Sequence, residues 1–89
     1  MRHKTIVLEL LQDQFPTLHR RLKAERMLLT AVERHALAFK ASHEHWKNQL
    51  RRTRPGSHPD QVASEALEHA IRDLQDALRA ESPTHEGTA

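Results

Sequence analysis

Apolar positions recur along the chain at helical spacing, in stretches punctuated by proline. In the first stretch Val7, Leu10 and Leu11 fall at i, i+3 and i+4, with Ile6 and Leu8 beside them. This spacing predicts a short helix over 4–13. Pro16 ends it, because a proline ring disfavours a helical residue before it and has no N–H to donate. Proline is well suited to a first turn, so a new helix can start at Pro16 with Phe15 as an apolar hinge.

The second stretch carries the strongest pattern. Leu18, Leu22, Glu25, Leu29, Val32, Ala36, Phe39, His43, Trp46 and Leu50 are separated alternately by four and three residues. That is an unbroken heptad seam with polar interruptions only at Glu25 and His43. No proline or glycine intervenes before Pro55 and Gly56, so the pattern predicts one long amphipathic helix over 16–52, about 55 Å in length. The segment Thr53–Pro59 is a firm break. Ser57 or His58 then caps a third helix over 59–80. Pro59 suits its first turn, and Asp60 suits the positive end of its dipole. Ala63, Leu67, Ala70, Leu74 and Ala77 repeat the four-three spacing there, and the small residues permit close approach to another helix. Residues 1–81 thus read as a single all-α domain, and 82–89 as a disordered tail without periodicity.

A short loop makes the second and third helices antiparallel neighbours. The third, about 33 Å long, covers only part of a 55 Å helix. The first helix is expected to fold back over the remainder, end to end with the third. Leu28 and Leu37 lie beside the seam, so apolar surface is expected to stay open on the long helix. The economical way to cover it is a second copy, which gives a homodimeric helical bundle. The candidate interface residues are Leu18, Leu22, Leu29, Val32, Phe39, His43, Trp46 and Leu50. A polar seam residue such as His43 can fix register, and Trp46 is suited either to core packing or to an interface anchor.

Composition strengthens the helical reading. Of 89 residues, only three are Phe or Trp and none is Tyr or Cys. Good helix formers dominate. Without cysteine there are no disulfides and no thiolate metal sites, so a chain this short needs oligomerisation or tight helix packing for stability. The longest apolar run is Ile6-Val7-Leu8, far below the length of about 20 residues that spans a bilayer. No signal-peptide core follows the basic start, so a cytoplasmic location is expected. The preference for Arg over Lys fits a GC-rich bacterial genome.

Charge is uneven. Residues 1–56 carry twelve Lys/Arg against five Asp/Glu, and residues 57–89 carry two against seven. The basic part can pair with the acidic part of the same chain, or it can seek nucleic acid. Arg51, Arg52 and Arg54 sit at the end of the long helix, where the dipole favours cations. Arg20, Arg21, Lys23 and Arg26 fall near its predicted start, where cations are unfavourable unless paired. That cluster is the candidate nucleic-acid-binding face. No helix-turn-helix and no aromatic stacking platform accompanies it.

Candidate chemistry is sparse. His43-Glu44-His45 resembles a metal fragment, but residues i and i+2 of a helix point about 200° apart and cannot clamp one ion. No two of the eight histidines are four apart. The serines lack a Gly-x-Ser-x-Gly elbow, and two glycines cannot build a phosphate loop. Asp73 and Asp76 read as ordinary solvated carboxylates one turn apart. The sequence therefore predicts a non-enzymatic helical interaction or assembly module without a cofactor or metal. Its expected partner is a second copy or a helix of another protein. The alternative is a small regulator that binds nucleic acid.

Overall fold

The computed structural model describes residues 3–56 and 58–82. Among them are four helices and no strand: α1 (His3–Gln14), α2 (Pro16–Ala24), α3 (Leu28–Thr53) and α4 (Pro59–Glu81). The expected tail, apart from Ser82, lies outside the described residues, as does Ser57. No helix of the described residues is long and apolar enough to cross a membrane.

Pro16 acts as its chemistry dictates. Phe15 leaves the helical region (φ −133°, ψ 56°) and Pro16 opens α2. The backbone stays hydrogen-bonded through the corner, with Phe15 N–H donating to the Leu11 carbonyl at 3.1 Å and His19 N–H to the Phe15 carbonyl at 2.9 Å. The Phe15 ring is fully buried. At the other loop His58 is the N-cap of α4, its Nδ1 accepting from the Asp60 N–H at 3.3 Å.

The single helix predicted over 16–52 is instead two. α2 closes in a Schellman motif. Met27 N–H donates to the Leu22 carbonyl at 2.8 Å, and Arg26 N–H to the Lys23 carbonyl at 3.1 Å. Between these bonds Arg26 adopts the left-handed conformation, φ 58°. Glycine normally takes that position, since a Cβ there costs about 1–2 kcal/mol. With an arginine in its place, the local sequence carries no stop signal. The strain is offset by burial, because the turn brings Leu18 into the same core as Val32, Ala36 and Phe39. Arg26→Gly is expected to stabilise the fold by about 0.5–1 kcal/mol, the relieved strain less glycine's extra chain entropy. An unchanged or lower urea midpoint would contradict that assignment.

The core draws on all four helices. Val7 and Leu11 of α1, Phe15 and Leu18 around the corner, Val32, Ala36 and Phe39 of α3, and Ala70, Leu74 and Leu78 of α4 form one cluster. A smaller cluster of Leu50, Val62 and Ala66 closes the far end, and Trp46 touches both. Ala66 and Ala70 are fully buried, so small side chains do let α4 lie close on α3. The two helices are antiparallel, with Arg34 donating to Glu81 at one end and Arg54 paired with Glu65 at the other. α1 was expected end to end with α4. It lies instead against both α3 and α4, because the turn at Arg26 carries α2 away and leaves that side of α3 to Val7 and Leu11.

The body is a slab whose Cα atoms span 48 × 27 × 16 Å. Two packed helix layers, with axes about 10 Å apart, account for the thin dimension.

Candidate functional site

The outer face of α3 is the candidate site. α3 turns Ala31, Val32, His35, Ala36, Phe39, His43 and Leu50 inward. Helical periodicity then sends Glu33, Leu37 and Lys40 outward, and Leu29 in the first turn of α3 is exposed as well. Leu29 is 68% and Leu37 73% exposed, the largest such values among the big apolar residues. Beside them the start of α1 and the side of α3 enclose a mainly apolar groove of about 590 Å³, lined by His3, Lys4, Thr5, Glu33, Ala36, Leu37 and Lys40. Lys4 Nζ lies 3.7 Å from Glu33 Oε1 across its mouth.

The residues assigned to an interface from the seam are divided by the fold. Leu18, Val32, Phe39, His43 and Leu50 are buried, and Leu22 and Trp46 are half-buried against the same clusters. These seven pack within the chain. Leu29 alone of the eight is exposed, and it lies in the first turn of α3 just past the turn at Arg26. Glu25 leaves the helix altogether and pairs with Arg21 of its own chain at 3.7 Å. Leu28, expected to remain open, packs against the core, whereas Leu37 remains open as expected.

The basic cluster also changes meaning. Arg20, Arg21, Lys23 and Arg26 are all exposed. With α2 ending at Ala24, Arg21 and Lys23 sit in its last turn rather than near the start of a long helix. Cations there interact favourably with the carbonyl end of the dipole. The physical objection that singled out this cluster is removed.

One histidine, His3, lines the groove. The His3 ring lies 5.1 Å from Phe39 and 6.0 Å from His43, edge-on to each. Its Nε2 is buried without a hydrogen-bond partner among the described residues. Burial, then the neighbouring His43, hold its pKa below the usual imidazole value. His43 Nε2 lies 3.4 Å from the Ala63 carbonyl oxygen. Glu44 and His45 are exposed while His43 is buried, the divergence that i and i+2 spacing requires. Among the described residues no three His, Asp or Glu side chains converge as a metal ion needs. Farther along, His35 Nε2 lies 3.2 Å from Glu81 Oε1, without the alignment of a hydrogen bond. Arg34 donates to the same oxygen at 2.7 Å.

One polar constellation was not legible in the sequence. Asp73 Oδ2 accepts from Trp46 Nε1 at 2.9 Å and from Ser42 Oγ at 2.7 Å. Those two hydrogen bonds, Trp46 first, hold its carboxyl below the usual aspartate range. Trp46 stacks on His69 with centroids 4.5 Å apart. The donors reside on α3 and the acceptor on α4, so spacing along α4 showed only a solvated Asp73/Asp76 pair. Chemically, a carboxylate with a lowered pKa is a poor base for Ser42. The arrangement fixes the Trp46 rotamer and clips α3 to α4. No protein-family model matches the chain, and no curated protein or solved structure matches it either.

Proposed function

We propose that this chain is a non-enzymatic helical assembly module that works as a homodimer through the outer face of α3. The supporting observation is Leu29 and Leu37, the two most exposed large apolar side chains, on one helix face beside an apolar groove. A slab two helices thick leaves such a face without a third layer, and a second copy supplies one. The cytoplasm of a bacterium is the setting that the composition suggests. The nucleic-acid reading loses its main support, because the helix dipole accounts for the placement of Arg21 and Lys23.

The test is a solution mass. Sedimentation equilibrium or light scattering at micromolar concentration is expected to return twice the chain mass. A mass of one chain across that range would overturn the proposal. Salt-sensitive retention on DNA or RNA that vanishes in an Arg20/Arg21/Lys23 to Ala variant would favour the alternative.

A further inference from the structure

The outer face of α3 is complementary in charge to its own reverse. Glu33, Leu37 and Lys40 fall at i, i+4 and i+7, which places an acid, an apolar side chain and a base on one narrow stripe. All three are exposed, and all three border the apolar groove. Such a stripe has a definite self-complementarity. A parallel copy would set Glu33 against Glu33 and Lys40 against Lys40. An antiparallel copy centred on Leu37 sets Glu33 of each chain against Lys40 of the other, twice by symmetry, with the two leucines meeting at the axis.

We infer that two copies pair their α3 helices antiparallel, with Leu37 at the twofold axis, the Leu37 side chain of each copy seated beside the groove of the other, and reciprocal Glu33–Lys40 ion pairs flanking it. This register rests on the homodimer reading and adds its geometry. The groove supports it. Its lining includes Ala36, whose small side chain leaves space next to Leu37, and the start of α1 forms the opposite wall. Glu33 is already oriented at this rim by Lys4, with Nζ 3.7 Å away and both side chains more than half exposed. That pair is exposed enough to contribute little to folding, so exchanging its charge perturbs association more than stability. Like charges facing each other are a standard device against the wrong orientation, and here they disfavour the parallel alternative.

The chain allows a clean test. Glu33→Lys and Lys40→Glu each turn two attractions into two repulsions, and each is expected to raise the dimer dissociation constant about tenfold at low salt. The double variant carrying both changes restores the opposite-charge pairing and is expected to return to within about threefold of wild type. Circular dichroism monitors folding in parallel. Because the protein has no cysteine, Leu37→Cys provides an independent readout. It is expected to form a covalent dimer on mild oxidation, whereas Gln61→Cys on α4 is not. If the wild type is dimeric but the single charge variants bind as tightly as wild type, or the double variant is not rescued, this register is wrong and the homodimer reading stands. If the wild type has the mass of one chain, both fall.

Discussion

Phe15→Ala is expected to cost about 3–5 kcal/mol, enough to consume much of the roughly 5–15 kcal/mol that holds a small domain together. The ring is fully buried at the corner where α1 meets α2. It belongs to the cluster that also contains Leu11, Leu18, Val32 and Phe39, so its removal opens a cavity shared by several helices. The corner cannot readily collapse to fill that cavity, because Pro16 fixes the direction of α2 and the backbone on both sides is committed to hydrogen bonds with Leu11 and His19. Urea denaturation should show a midpoint lowered by about 2 M or more, taking a slope near 1–2 kcal/mol per molar. Phe15→Leu keeps most of the volume and should cost less than about 1.5 kcal/mol. Equal losses in the two variants would mean that the corner does not depend on the ring.

Leu37→Glu is expected to have the opposite profile, with little effect on the folded chain and a large one on association. Leu37 is 73% exposed, so the substitution removes almost no buried surface from the isolated chain. Substitutions at such positions usually fall within about 0.5 kcal/mol. In the proposed dimer, however, two carboxylates would meet at the twofold axis, away from water and next to Glu33. A like-charged pair there costs several kcal/mol, and the dissociation constant should rise by more than about a hundredfold. Light scattering should then return the mass of one chain while circular dichroism and the urea midpoint stay close to wild type. A dimer that survives Leu37→Glu would move the interface off this face. These two outcomes separate the buried core, to which Phe15 belongs, from the exposed face of α3 that carries Leu37.

The hydrophobic pattern was sufficient for the class of fold and for most helix limits. Heptad spacing placed Val32, Ala36, Phe39 and Leu50 on one face, and all are buried. Pro16 and Pro59 marked helix starts because proline's missing N–H and fixed φ act locally, whatever the rest of the chain does. The antiparallel pairing of α3 and α4 followed from a short loop and two long apolar faces. Leu37 was legible as open surface for the same reason, since it lies off the seam.

The tertiary structure alone decided the break at Arg26, and with it the site. No glycine, proline or capping side chain marks residues 24–28, and each is compatible with a helix. The turn exists because burying Leu18 with the rest of the core outweighs one strained arginine, a balance that spacing along the chain cannot register. Three consequences follow from it. Leu29 falls in the exposed first turn of a helix instead of its middle, Arg21 and Lys23 become the last turn of a helix, and α1 gains a place on α3. The clasp of Ser42 and Trp46 on Asp73 likewise joins residues about 30 positions apart, which only the packing of α4 against α3 brings into contact. Periodicity by itself determined which side chains could share a helix face. Which of those faces became core and which stayed open was set by where the chain turned, because burial is a property of the assembled layers and not of any one helix.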